Sequence, residues 1–219
     1  LFCISAYLLA IYHSPSFKFA SFLGLIFGCV FHVLSSYWLI NFRDFAAWTI
    51  GGTTLGYMGY NALLAPFLLG LSKIHKKYRF LIIASAWTLF EYLKSSGFLG
   101  YPWGLIAYPV NTIIPFVQFI EITGIWGLSF IMALINSVTA EVVDQFFPGS
   151  IKENRLKRIT EKPIHWKYQS VLIGALVVIC LCFGLIRLGF TIPEKAGMDV
   201  LLIQQNIDRL LGGGNHPHL

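Results

Sequence analysis

Four long stretches of this chain contain no Asp, Glu, Lys or Arg, and this feature limits the possible folds more than any other. They comprise residues 19–42, 45–72, 122–140 and 168–186. An α-helix needs about 20 mostly apolar residues to cross about 30 Å of hydrocarbon. Each stretch therefore predicts a transmembrane helix, and a soluble fold of 219 residues could not accommodate all four.

The charged residues support the same class. They make up 12% of the chain, against about 25% in soluble domains. The net charge of +6 would suggest a nucleic-acid partner if it covered one surface, but the basic residues fall mainly in two short segments, residues 73–79 and 152–167. That distribution is typical of loops between transmembrane helices, so we expect the bilayer as a partner and no nucleic acid.

The two basic segments also predict the topology, because cytoplasmic loops of membrane proteins are rich in Lys and Arg. With both segments in the cytoplasm, two spans must lie between them, residues 80–93 and 113–140. The loop 94–112 and the chain after residue 190 then lie outside. Residues 1–12 resemble the end of a further span. The sequence thus predicts about six transmembrane helices.

The predicted fold is an all-α polytopic membrane bundle over residues 1–190, followed by the start of an α/β domain over residues 191–219. Within the second segment, residues 200–206 are aliphatic and then polar, which predicts a buried strand. The chain opens at Leu1 inside an apolar stretch and ends soon after this strand. We therefore expect the N-terminus and most of the α/β domain to be missing.

The loop from Gly97 to Gly104 is the densest local signal. Three glycines and Pro102 within eight residues predict an irregular backbone. Such a backbone cannot face lipid, so it must pack on protein or line a wet cavity. One interpretation is a simple turn with an interfacial tryptophan. The other is a loop that shapes a site at the outer surface, with Trp103 as a functional residue.

Two carboxylates lie at the outer ends of predicted helices. Glu91 is near a C-terminal helix end, where the helix dipole disfavours an anion, although Lys94 can offset this from three residues away. Glu91 is either a structural partner of loop amides or a substrate-site residue. Glu121 is near an N-terminal helix end, where a carboxylate is favourable, so a helix-end anchor is the preferred interpretation over a catalytic role.

Other reactive side chains predict no second site. All four cysteines lie in apolar stretches, where a thiol behaves as a small hydrophobic group; they are Cys3, Cys29, Cys180 and Cys182. His216 and His218 lack further ligands at metal-site spacing, so we expect no metal. Arg187 is near an outer helix end, where its side chain could snorkel to the interface or contact a phosphate. We prefer snorkelling.

Several motifs in order resemble the apolipoprotein N-acyltransferase family of the bacterial inner membrane. They are Trp-x-x-x-Glu-x-x-Lys from Trp87 to Lys94, Pro102-Trp103-Gly104, residues 124–130 with Asn136, and the predicted strand at 200–206. The resemblance implies eight spans and an extracytoplasmic nitrilase-like domain between the last two. It also implies that this chain contains spans two to seven and the first strand of that domain.

The resemblance further implies a reaction. An acyl chain passes from phospholipid to a cysteine thioester, and then to the α-amine of a diacylglyceryl apolipoprotein, with a Glu–Lys–Cys set and no cofactor. All three catalytic residues would lie beyond Leu219. Site-shaping or substrate-binding roles are expected instead for Trp87, Glu91, Pro102, Trp103, Glu121, Gln204 and Asn206. The family's Lys-Trp after the strand is replaced here by a glycine-rich sequence.

A transporter or channel is the rival class. It would place polar residues near mid-membrane in several helices, whereas the predicted spans contain mainly Ser, Thr, Gly and isolated Asn. A purely structural scaffold is the third possibility. The sequence favours the acyltransferase, in a bacterial inner membrane, with the C-terminal end of this chain on the periplasmic side.

Overall fold

A computed structural model describes residues 2, 4–41, 46–74, 76–96, 100–146 and 166–190. These residues form helices and turns, with no strand among them. The α-helices are α1 (Ser5–Tyr12), α2 (Phe17–Ser36), α3 (Ala46–Ile74), α4 (Arg79–Ser95), α5 (Ile114–Val117), α6 (Ile120–Phe146) and α7 (Trp166–Phe190). Short 3₁₀ turns cover Tyr37–Asn41, Lys76–Tyr78 and Tyr108–Thr112.

Two glycines allow α2 and α3 to pack in close contact. A Cβ atom on Gly24 would overlap the backbone carbonyl of Asn61, and one on Gly28 would lie 2.5 Å from the carbonyl oxygen of Tyr57. Small residues four positions apart are a common means of close helix packing in membranes. The two helices therefore form a tight antiparallel pair, and this pair brings Tyr57 next to Gly28 of α2.

The α1, α4 and α6 helices pack around a buried core that includes Leu8, Ile83, Trp87, Leu128 and Met132.

The start of α1 is fixed by Asn136 of α6. The Asn136 Oδ1 atom accepts hydrogen bonds from the backbone N–H groups of Ile4 and Ser5, at 3.2 and 3.1 Å, and from the Ser5 hydroxyl at 2.9 Å. These first amides of a helix have no partner within the helix itself, so a side chain from a distant segment provides the cap.

Three helical segments are long and apolar enough to cross a membrane by length and composition: Phe17–Asn41, Ile120–Phe146 and Lys167–Phe190. Much of the surface of the first and third segments is exposed apolar side chain, whereas Ile120–Phe146 is half buried. On α7, for example, Tyr168, Val171 and Phe190 are each more than 70% exposed. An exposed apolar surface of this extent is suited to lipid. The chain is thus an all-helical membrane protein in its described part, while the count of about six spans stays a prediction.

The predicted span over residues 113–140 is not one helix. A short helix at Ile114–Val117 precedes α6, and α6 itself is interrupted at Gly124, which has φ 66° and ψ −175°. Positive φ is readily adopted only by glycine, so the interruption occurs where the sequence permits it.

By its internal contacts the chain divides into two units, Leu1–Gly189 and Phe190–Leu219. Only Phe190 of the second unit is described. The predicted strand at 200–206 and the predicted boundary after residue 190 therefore lie outside the described residues or at their limit, and both stay predictions.

Candidate functional site

One end of the bundle is covered by the chain between α4 and α5, here called the capping loop (residues 100–112). Hydrogen bonds attach it to three helices. The Tyr101 backbone N–H donates to the carbonyl of Lys94 at 2.9 Å, and the Tyr101 hydroxyl donates to Ser36 Oγ at 3.0 Å. The capping loop is thus held over the C-terminal ends of α2 and α4, and Tyr57 attaches it to α3, as expected for irregular backbone that must pack on protein.

Lys94 and Tyr57 hold the backbone of Trp103. The Lys94 ammonium donates to the Tyr57 hydroxyl at 3.0 Å and to the Trp103 carbonyl at 3.3 Å. The Tyr57 hydroxyl donates to the same carbonyl at 3.0 Å. Lys94 is only 7% exposed, and among the described residues it forms no ion pair with a carboxylate. This nearly buried cation is therefore stabilised by neutral oxygens, by the charge of Glu91 one helical turn away, and by the Tyr57 ring, whose centroid is 4.9 Å from Nζ.

Glu91 holds the next part of the capping loop. It is 1% exposed, and its Oε1 accepts the Ile106 backbone N–H at 2.8 Å. The Trp87 indole N–H and the Ser129 hydroxyl are near its carboxylate, but Oε2 lacks a hydrogen bond of ordinary geometry to either. The carboxylate thus joins the capping loop to α4 and lies against α6.

Trp87 is part of the core. It is 2% exposed, and its ring packs edge-on against the rings of Tyr7, Phe27 and Phe90 at centroid distances of 6.3, 6.2 and 5.9 Å. Trp87 and Glu91 are one helical turn apart on the same buried face of α4. The Glu91 side chain bonds to the capping loop, the Trp87 ring packs against core aromatic rings, and neither side chain faces solvent.

Pro102 and Trp103 are on the outer side of the same loop. Both are exposed, and Trp103 is 49% exposed, with its ring 5.2 Å from the ring of Trp38. The Pro102 carbonyl accepts the Tyr108 hydroxyl at 2.9 Å. Partial burial, and then the Glu91 charge, raise the pKa of Tyr108, so the phenol remains a donor at neutral pH.

Gly104 is the glycine that the loop geometry requires. Its φ is 70°, and a Cβ atom there would lie 3.1 Å from Ser35 Oγ. A side chain would therefore meet both backbone strain and a close neighbour. Gly97, the first glycine of the motif, lies outside the described residues.

Glu121 pairs with Arg187 of α7. The guanidinium contacts both carboxylate oxygens, at 2.7 Å from Nε to Oε2 and 3.0 Å from Nη2 to Oε1. Both side chains are about half exposed, at 53% and 48%. This ion pair differs from the snorkelling expected for Arg187, and it agrees with Glu121 as an anchor at a helix end.

The opposite end of the bundle contains a buried ion pair that sequence reasoning missed. Arg79 Nε is 2.9 Å from Glu141 Oε1, with the Glu141 side chain 0% exposed. The Tyr12 ring covers the Arg79 guanidinium at 4.3 Å, and His13 Nε2 is 2.7 Å from Asp144 Oδ1. A signal was present: Arg79, Ile83, Trp87 and Glu91 recur every four residues, which places them on one helix face.

Two predicted site residues, Gln204 and Asn206, lie outside the described residues. Within the part of the chain that the structure describes, no three His, Cys, Asp or Glu side chains are arranged to hold a metal ion. The residues brought together are Tyr57, Glu91, Lys94 and the capping loop with Trp103.

Comparison with known proteins gives one consistent family. The sequence model of the apolipoprotein N-acyltransferase N-terminal domain matches residues 1–138. Apolipoprotein N-acyltransferase 2 of Treponema denticola is 35% identical over 201 residues, which is 91% of this chain and 37% of the relative. The protein of the same name from Treponema pallidum is 32% identical, over 89% of this chain and 33% of the relative.

A more distant relative covers slightly more of the chain. Apolipoprotein N-acyltransferase of Rickettsia prowazekii is 28% identical over 94% of this chain and 40% of its own length. The chain thus spans about a third to two fifths of the curated relatives it matches. No solved structure matches it.

Proposed function

This chain belongs to the apolipoprotein N-acyltransferase family, and we propose that it is the membrane-embedded part of an enzyme that N-acylates bacterial lipoproteins. The acyl donor is a phospholipid, and the acceptor is the N-terminal diacylglyceryl cysteine of an apolipoprotein. The reaction passes through a thioester acyl-enzyme. The observation that supports this role most directly is the capping loop, which is fixed from below by Glu91, Lys94 and Tyr57 and exposes Trp103.

In this proposal the fixed loop is a platform beneath a catalytic domain. Positioning of substrate groups requires rigid support, because misplacement of reacting groups by about 1 Å can reduce a rate about 100-fold. The contacts from Glu91, Lys94 and Tyr57 all end on backbone groups of the capping loop, which fixes the path of the loop and leaves the Trp103 ring half exposed. Glu91 acts in this scheme as the anchor of the Ile106 amide and does not touch substrate.

The proposed topology has about six crossings, with the capping loop on the periplasmic side of the inner membrane. The contacts support it. Arg79, in a basic segment, pairs with Glu141 at one end of the bundle, while Lys94 bonds to Trp103 and Tyr101 bonds to Ser36 at the other. Cysteine labelling of intact cells tests it. With the four native cysteines replaced by alanine, a membrane-impermeant maleimide should label Ser96→Cys and leave Lys76→Cys unlabelled. The reverse pattern would invert the topology.

We also propose that the catalytic Glu–Lys–Cys set is not among these 219 residues. The described cysteines are poor candidates for the nucleophile, because Cys29, Cys180 and Cys182 all lie within α2 and α7. An apolar setting disfavours the thiolate. Gln204 and Asn206 are proposed to begin the nitrilase-like domain that supplies the nucleophile.

A radiolabelled acyl phospholipid tests this placement. The 219-residue polypeptide should acquire no hydroxylamine-sensitive acyl group and should not acylate a diacylglyceryl lipopeptide, whereas a protein of the relatives' full length should do both. A thioester on the 219-residue polypeptide would contradict the proposal.

A further inference from the structure

His32 interrupts a face of α2 that otherwise carries small side chains. Five buried residues of α2 recur at every fourth position: Ala20, Gly24, Gly28, His32 and Ser36. Gly24 and Gly28 allow the close approach of α3, whereas the imidazole of the next turn must be enclosed by its neighbours. It is 0% exposed and lies within a segment long and apolar enough to cross the membrane. An ionisable ring in such a place calls for a partner and indicates a function.

The hydrogen bond of His32 to Thr53 determines which ring nitrogen carries the proton. His32 Nε2 is 2.8 Å from Thr53 Oγ1. A threonine hydroxyl has one proton, and that of Thr53 is donated to the carbonyl oxygens of Thr49 and Ile50 in its own helix. The Thr53 oxygen can therefore only accept from His32, so Nε2 is the donor.

The second ring nitrogen of His32, Nδ1, is a bare acceptor. It has no hydrogen-bond partner among the described residues. A proton on Nδ1 would thus be a buried donor without an acceptor, which is unfavourable. It would also place a second positive charge near Lys94. The contacts fit the neutral imidazole with its proton on Nε2.

The imidazole packs on the two tyrosines that hold the capping loop. Its centroid is 4.3 Å from that of the Tyr57 ring, at an interplanar angle of 32°, and 5.6 Å from that of the Tyr101 ring. The two tyrosine rings contact each other edge-on at 5.6 Å. The Tyr57 hydroxyl donates to the Trp103 carbonyl, and the Tyr101 hydroxyl donates to Ser36 Oγ, each at 3.0 Å. His32 therefore contacts both aromatic side chains that attach the loop to α2 and α3.

We infer that His32 is a positioning residue for the capping loop. Thr53 fixes the imidazole as the neutral Nε2–H tautomer. The fixed ring then holds Tyr57 and Tyr101 where their hydroxyls reach the loop and the end of α2. The use of this loop in acyl transfer rests on the proposed function, whereas the contacts from Thr53 to the loop do not. A histidine that only filled space between α2 and α3 would need neither the Thr53 hydroxyl nor a particular tautomer.

Hydrogen exchange of the full-length protein in nanodiscs tests the role of Thr53. The measured quantity is the exchange rate of the capping-loop peptide divided by that of the α6 peptide, which corrects for general loosening of the bundle. Thr53→Val removes the acceptor at nearly constant volume and should raise this ratio about tenfold, or about 1.4 kcal/mol in the opening equilibrium. Thr53→Ser keeps the hydroxyl and should leave the ratio unchanged. Equal ratios in the valine and serine variants would overturn the inference.

Thr54→Val is the matched control. It makes the same substitution at the next position of α3, where the side chain is also buried and its hydroxyl has no hydrogen-bond partner among the described residues. The exchange ratio should therefore stay at the value of the unaltered protein. A rise as large as that in Thr53→Val would show a general effect of valine in α3 and would contradict the inference.

A double-mutant cycle tests whether His32 acts through Tyr57. His32→Leu and Tyr57→Phe should each raise the exchange ratio. The double variant should raise it no further than the larger single effect, because both substitutions break the same series of contacts. Additive effects would show that His32 acts independently of Tyr57, which the inference does not allow.

The tautomer is tested by ¹⁵N NMR of the histidine-labelled full-length protein, with the His32 signals identified by their loss in His32→Gln. We expect a bare Nδ1 and a protonated Nε2 at neutral pH. A proton on Nδ1 would refute the assignment and, with it, the inference. Because exchange and NMR report on the loop and not on the reaction, they can fail while acyl transfer is observed, and the reverse.

Discussion

The two ends of the helical bundle use polar side chains in different ways. At the capping-loop end, Glu91, Lys94 and Tyr57 hold backbone groups of a loop. At the other end, Arg79 and Glu141, and likewise His13 and Asp144, pair side chain to side chain between helices. The first arrangement fixes the path of a chain segment, and the second fixes the relative positions of helices. Buried polar groups in one small bundle can thus serve positioning at one end and assembly at the other.

The largest expected effect is on the unfolding free energy, through the ion pair of Arg79 and Glu141. Arg79→Met leaves the Glu141 carboxylate buried without its cation, and loss of one partner of a buried ion pair destabilises a protein by about 3–5 kcal/mol. We expect a loss of this size in the unfolding free energy in mild detergent, measured by denaturant titration. Lys77→Met, an exposed position nearby, serves as the control.

The double variant Arg79→Met with Glu141→Leu sharpens the comparison. Because it removes both charges, it should recover most of the stability. If the single variant is no less stable than Lys77→Met, the pair does not hold the helices together and the contrast between the two ends fails.

A smaller effect is expected at Glu91. Glu91→Ala removes the acceptor of the Ile106 N–H and leaves a buried donor unsatisfied, which destabilises by about 1–3 kcal/mol. Glu91→Gln keeps a side-chain oxygen for that amide, so we expect less than about 1 kcal/mol. Hydrogen exchange at the Ile106 amide should be faster in the alanine variant and nearly unchanged in the glutamine variant.

Activity distinguishes the two interpretations of Glu91 in the full-length enzyme. For an anchor, Glu91→Gln should keep acyl transfer within a few-fold of the unaltered enzyme. A tenfold loss with stability retained, about 1.4 kcal/mol in the activation barrier, would instead identify a carboxylate that acts on substrate, and the capping-loop end would no longer be a positioning device alone.

The smallest effect is expected for the exposed pair of Glu121 and Arg187. Exposed ion pairs contribute little because water and salt screen them. Arg187→Gln should leave the melting temperature within experimental error at 0.5 M salt, with a small decrease at low salt. A large decrease in melting temperature that does not depend on salt would show that this pair stabilises the protein as strongly as the buried pairs do.

The helices and the capping loop could be predicted because their signals are local. Long uncharged stretches predicted α2, α3, α6 and α7, and the glycines and Pro102 predicted an irregular loop that must pack on protein. Glu91 as a partner of a loop amide was one of two interpretations left open by the sequence, and the geometry contains that contact.

The remaining features depend on residues far apart in the sequence. Arg79 and Glu141 are 62 positions apart, and Tyr57 and Trp103 are 46 positions apart. Their pairing depends on which helices become neighbours. Gly24 and Gly28 determine in part which helices are neighbours, because they allow α3 to pack closely against α2. The sequence alone does not identify α3 as their partner. The interruption of α6 at Gly124 likewise could not be predicted from the sequence, because glycine permits a positive φ but does not require one.

Asn136 sets a limit on the order of events during biosynthesis. The cap that it provides for the first amides of α1 comes from a residue 131 positions later than Ser5. At about 5–20 residues per second of translation, the ribosome adds Asn136 roughly 7–26 s after Ser5. Until then Asn136 cannot cap the first amides of α1, although the Ser5 N–H has a second acceptor in the Phe2 carbonyl at 3.3 Å. The bundle can close around α1 only after α6 has entered the membrane.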